Sequence, residues 1–274
     1  MSLFYNYENS GKGVAKNGPR KKPFFRFWEI FARKFWKMFL LNMIYVLFCL
    51  PVVTFGPATA ALAHVSRKFY LEKPFFLWHE FFEAFKKNFK QSVGIGIVDV
   101  AVVALIVYAL NFYDIRVQTS SNDMGSYILM GLTVAIAVYT LISHFYIYLQ
   151  IVSLNLRMKG VVKNSLILSV IGIKSNIIAL LVSVAFLTVF VLFFPYSTIA
   201  LPFIPFAWCQ LLITFCAYPV IQKHIINPYY EAKGEKNPEL PDEDEQEETI
   251  FVDRGGNEAE IKKKSPKGIG RIIK

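Results

Sequence analysis

Four long stretches almost without charge dominate this chain: residues 93–113, 127–150, 177–194 and 199–221. Together they hold one acid, Asp99, and neither Lys nor Arg. Each is near the roughly 20 residues with which a helix crosses the hydrocarbon core of a bilayer. Hydrocarbon offers no partner to a backbone N–H or C=O, so a spanning segment must satisfy both internally, as a helix does. The expected fold is all-α, a multipass transmembrane helix bundle. A fifth apolar run, 38–53, is shorter and carries Pro51; Gly56, Pro57 and the small-residue stretch 58–63 follow, then Arg67 and Lys68.

The formal charge of +10, from 30 Lys and Arg against 20 Asp and Glu, takes its meaning from position. Residues 227–274 contain 12 of the acids and nine of the bases, leaving 21 bases and eight acids on residues 1–226. Cytoplasmic loops of membrane proteins collect Lys and Arg. Nine bases precede residue 38, six lie in 57–92, four in 151–176, and Lys223 follows the last stretch, while 114–126 holds only Arg116. A single crossing by each apolar run would put the six and the four outside. If the chain instead turns at 51–57 and returns along 57–70, 20 of the 21 bases share one side and both termini are cytoplasmic. The bases then report topology, and nucleic acid is not an expected partner.

The result is a short N-terminal helical hairpin. Pro57 suits the first turn of its return helix, where the missing N–H costs nothing. Ala58, Ala60, Ala61 and Ala63 would let the backbone pack close to a neighbour. The 14 residues from 57 to 70 reach only about 21 Å as a helix, so a re-entrant hairpin and a short spanning pair both fit. The 37 residues before the first apolar run are unlike the short basic start of a secretory signal, so the run is expected to be retained.

Two segments pair helical periodicity with aromatics and bases. In 24–39, Phe24, Phe27, Trp28, Phe31, Phe35 and Phe39 share one face, with Arg26, Glu29, Arg33 and Lys37 opposite. In 75–90, Phe75, Trp78, Phe82, Phe85 and Phe89 share a face, and Glu83 and Lys87 stand at i, i+4 spacing. Such segments fit cytoplasmic interfacial amphipathic helices, aromatics in the bilayer and bases toward anionic headgroups. Phe27, Trp28, Phe31 and Phe35 are the expected interfacial anchor, while for 75–90 packing against the bundle fits equally well. Residues 1–23 read as a flexible basic segment, 24–226 as the membrane bundle, and 227–274 as a charged, mostly disordered cytoplasmic tail.

No motif for soluble chemistry is present. Walker A, H-E-x-x-H, G-x-S-x-G and the dinucleotide glycine fingerprint are missing. Cys49, Cys209 and Cys216 sit singly in apolar runs and suggest neither a disulfide framework nor zinc. No cofactor and no enzymatic activity are expected. An ionisable group inside a membrane is costly, and so is a candidate for function. Asp99 lies about 9 Å from the cytoplasmic end of its helix, and His144 at similar depth in the next. With Asn42 and His64 they form an expected polar layer, Asp99 and His144 its best-matched pair. Either a proton or solute site or a plain interhelical contact would fit.

The run LLNMIYVLFCLPVVTFGPATAAL at 40–62, AFKKNFKQ at 84–91 and KNSLILSV at 163–170 carry a resemblance. Its strongest element is L-P-x-x-T-x-G-x-x-x-A-A-L, which falls on Leu50, Pro51, Thr54, Gly56, Ala60, Ala61 and Leu62. In these features the chain resembles the YesL-like bacterial membrane proteins over about residues 24–226. The family is a domain of unknown function with no catalytic residues to carry over. The resemblance implies an accessory or regulatory role near carbohydrate-uptake ABC transporters, whose membrane subunits would be partners. A secondary transporter or channel using Asp99 and His144 is the alternative expectation.

Overall fold

A computed structural model describes residues 22–119, 124–200, 202–235 and 237–239. Lys21–Asn237 forms one compact unit. The segment expected over 1–23 lies outside the described residues except for residues 22 and 23, as does the expected tail beyond residue 239. All regular structure among the described residues is helical. Four helices are long and apolar enough to cross a membrane: Phe89–Thr119, Met124–Ser153, Ile173–Leu192 and Pro205–Lys233.

Helix α1, Pro23–Cys49, merges the amphipathic segment with the first apolar run. Neither Gly nor Pro interrupts it after Pro23, so nothing breaks its 27 residues. It stops before Pro51, which has no N–H to continue the helix and whose own backbone is extended, at φ −77° and ψ 121°. A short 3-10 turn, Val52–Thr54, closes the hairpin, and Thr54 Oγ1 donates to the carbonyls of Phe48 and Pro51 at 2.6 and 2.8 Å. Leu50, Val52 and Val53 at this apex are exposed.

The return helix α2, Phe55–Tyr70, is the centre of the bundle. Eleven of its 16 residues are buried, including every one from Gly56 to Ala63. It packs against α1 and against the helices introduced below as α3, α4, α5 and α9. Ala58, Ala61 and Leu62 belong to one apolar cluster with α1 and α9, and Ala60 and Ala63 to a second with α5. A helix of 16 residues reaches about 24 Å, short of a core about 30 Å thick. By length α2 alone falls short of a full crossing.

Glu72, in left-handed backbone at φ 55°, turns the chain after α2. Helix α3, Leu77–Lys87, runs back along α2 and meets α4, Phe89–Thr119, at Asn88. Helix α5, Met124–Ser153, returns beside α4. Then come α6, Met158–Ile171, α7, Ile173–Leu192, and the single turn α8, Ser197–Ala200. Helix α9, Pro205–Ile221, passes through a π turn, Gln222–Ile226, into α10, Asn227–Lys233.

Three expectations need correction. The last apolar stretch is not one helix from residue 199: its start belongs to the single turn α8, and α9 begins only at Pro205, because Ile204, at φ −133°, is pushed out of helical backbone by that proline. The final helix runs past residue 226 to Lys233, because Pro228 falls in the first turn of α10; Gly234, at φ 68°, ends it. The aromatic stripe of α1 is divided. Phe27 is buried edge-on to Trp208 and Phe215, Phe31 and Phe35 are half-buried, and Phe39 stacks on Phe203 at 4.8 Å, whereas Trp28 is exposed. Phe25 and Trp36 widen the aromatic surface beyond one face, so one part docks on α9 while another stays outside.

Candidate functional site at the α4–α5 polar pair

Asp99 stands on α4, one turn beyond the place where α2 and α4 come into backbone contact. A Cβ on Gly56 would lie 2.1 Å from the Ser92 carbonyl oxygen, and one on Gly96 would lie 3.1 Å from the Gly56 Cα. Only glycine permits that approach. The same Gly96 Cβ would be 3.9 Å from the Tyr148 hydroxyl, so the crossing and the polar group adjoin.

On α5, His144 and Tyr148 are four residues apart and share a face. His144 Nδ1 is 3.5 Å from Asp99 Oδ1, and the Tyr148 hydroxyl donates to Asp99 Oδ2 at 2.9 Å. The two α5 rings meet edge to face, centroids 5.0 Å apart. The Asp99 and His144 side chains are 18% and 30% exposed, so both reach the surface of the bundle. Tyr148 was hidden in the sequence as one more aromatic in an apolar run; its i+4 spacing from His144 is the signal that marks it. A carboxylate, an imidazole and a phenol in contact can bind or pass a proton.

His64 and Asn42 stand elsewhere, so the expected layer of four divides into three places. His64 Nε2 lies 2.9 Å from Glu80 Oε2, and Lys68 Nζ lies 2.6 Å from Glu80 Oε1, fastening α2 to α3. Burial opposes ionisation of Glu80, but Lys68 and His64 outweigh it and hold the carboxyl below the usual carboxylate range. At the turn after α2, Arg26 Nε donates to Glu72 Oε1 at 2.9 Å, and Arg33 also binds that carboxylate. There too burial works against the charge and the two guanidinium groups prevail, lowering the Glu72 pKa.

Asn42 serves α9, far from it in sequence. Its Oδ1 accepts from the Ala207 backbone N–H at 2.8 Å. Helix α9 begins after Ile204, which has no side-chain acceptor, so its first turn has amides that the helix leaves unmet. Asn42 supplies the cap from α1. Asn42→Ala should lower stability by about 1–3 kcal/mol, the cost of stranding a buried donor. Thermal unfolding in detergent would show it, and an unchanged midpoint would refute the cap.

Two further polar contacts, not anticipated from the sequence, hold α5 to α6 and α7. Tyr146 donates to Asn176 Oδ1 at 2.7 Å, and Gln150 Nε2 to Ser165 Oγ at 2.9 Å. One group of three potential metal ligands occurs among the described residues: His79, Glu80 and Glu83. Two of them are exposed, and the Glu80 oxygens already face Lys68 and His64.

The chain is thus an all-helical membrane protein in which Asn42, His64, Asp99 and His144 each contact a neighbouring helix. Residues 38–110 match the family model of DUF624, proteins of unknown function, in keeping with the YesL-like resemblance. The match covers Asn42, His64 and Asp99 and ends before His144. No curated protein and no solved structure matches the chain.

Proposed function

We propose that this is a non-enzymatic protein of the cell membrane, both termini cytoplasmic, that assists or regulates a transport system by contact with its membrane subunits. Carbohydrate uptake is the class of transport that the YesL-like resemblance implies. The observation that carries the reading is the filled interior. Helix α2 occupies the centre of the bundle, in backbone contact with α4 at Gly56 and Gly96. A cavity between aromatic side chains of α1 and Phe203 has room for about 10 Å³. That is no more than a water molecule needs, and a sugar is many times larger. Crosslinking in native membranes should recover transporter membrane subunits; a clean absence of them sinks the proposal.

The Asp99–His144–Tyr148 contact favours a second reading, a transporter driven by protons. The two separate in reconstituted vesicles. The accessory reading expects no movement of protons or sugars, and a flux abolished by Asp99→Asn would replace it.

A further inference from the structure

Subtracting its buried face leaves α3 with two further sectors. Leu77, Phe81 and Ala84 are buried against the bundle. Trp78, 51% exposed, stacks at 5.8 Å on Phe82, which is half-buried and also meets the Phe48 ring of α1. Next around the helix comes the exposed Lys86; the exposed Lys87 stands about 100° further round, beyond His79 and Glu83, and the exposed Lys90 follows in the start of α4. Glu83 does not take up Lys87 as its spacing allows; it stands 3.6 Å from His79. None of the three lysines has an acidic partner among the described residues. Three of the four bases of α1 differ, since Arg26 and Arg33 are held by Glu72 and Lys37 stands 5.5 Å over the Phe75 ring.

Helix polarity accounts for part of this charge. Lys86 and Lys87 occupy the last turn of α3, where a cation is favoured. Lys90 occupies the first turn of α4, where a cation is disfavoured, so helix polarity does not explain it. An aromatic pair beside uncompensated lysines, at the end of a membrane bundle, matches a leaflet surface: rings among the acyl chains, ammonium groups at the phosphates.

We infer that Trp78, Phe82, Lys86, Lys87 and Lys90 form a binding surface for anionic phospholipid headgroups, which α3 presents to the leaflet beside α4. The surface prefers a lipid with net negative charge, such as phosphatidylglycerol, over zwitterionic phosphatidylcholine. This holds whether or not the protein contacts a transporter, and its test reads lipid alone.

The experiment uses the full chain in phosphatidylcholine vesicles with rising fractions of brominated phosphatidylglycerol, against brominated phosphatidylcholine, and reads quenching of tryptophan emission. A preference of at least about fivefold for the anionic lipid is expected, falling at high salt. It should disappear in the Lys86→Gln, Lys87→Gln, Lys90→Gln variant and persist when Arg157, Lys159 and Lys163 are changed to Gln instead. Equal quenching by the two lipids overturns the inference, as does a preference that survives the first variant or vanishes equally in the second. A measurement on the unaltered chain covers the case in which the first variant does not fold. Photoreactive phosphatidylglycerol should label the peptide around residues 78–90; labelling confined to other segments also overturns the inference.

Discussion

Gly56→Ala should all but abolish folded protein. The added methyl would sit 2.1 Å from the Ser92 carbonyl oxygen, and that atom belongs to the α4 backbone, which has no rotamer to escape into. Relief requires α2 and α4 to part, which would disturb the most buried helix in the bundle. We expect a loss above about 4 kcal/mol, in the range reserved for overpacking that the structure cannot absorb. The measurements are the yield of monodisperse protein in detergent and the unfolding midpoint. Gly131→Ala is the control: a Cβ on this α5 glycine meets nothing within 4 Å, so helix propensity alone should leave stability unchanged or raised by up to about 1 kcal/mol. Equal behaviour of the two variants would mean that the contact between the glycines is not what holds α2 and α4 together.

Glu80→Gln should release α3 from α2. The carboxylate answers both Lys68 and His64, and its side chain is only 16% exposed. Losing it leaves Lys68 partly buried without its counter-charge, at a cost of roughly 3 kcal/mol, the lower end for breaking a buried pair. Trypsin should then cut faster at Lys86 and Lys87, which lie on the freed helix. The pH dependence has a definite sign. Burial opposes the Glu80 charge, but Lys68 and His64 hold its folded pKa below the unfolded value. Its contribution is therefore complete above an unfolded pKa of about 4.3 and is lost as pH falls through the folded value. Stability of the unaltered chain should drop below that point more steeply than stability of Glu80→Gln. Parallel acid profiles would show that Glu80 is not the group responsible.

The parts of this fold readable from sequence are those where one residue type has one physical use. Long uncharged runs allow nothing but buried or membrane helices. Pro51, Gly56 and the alanines after it mark a turn and a close-packed return. Asp99 and His144 stand out because ionisable groups are so few in those runs that their nearness could be argued from depth alone. Reading became ambiguous where a residue has several uses. Tyr146 and Tyr148 pass for core aromatics, and only the fold shows that their hydroxyls reach Asn176 and Asp99. The α1 stripe offered one aromatic face, but Phe25 and Trp36 enlarge it, and the position of α9 decides which rings go inward. Glu80 looked like one charge on a solvated face until α3 lay against His64 and Lys68. For Asn42, the partner is a backbone amide, which has no signature in composition; the one hint is a helix start at Ile204–Pro205 without a capping residue of its own.

That cap also bears on how the chain is made. Asn42 is translated 165 residues before the amide it serves, so α1 enters the bilayer with an acceptor whose donor does not yet exist. A nascent chain halted before residue 205 would carry this carboxamide among lipid or neighbouring helices, without its final seat. Arrival of α9 closes the contact between the first helix and the last of the candidate spans.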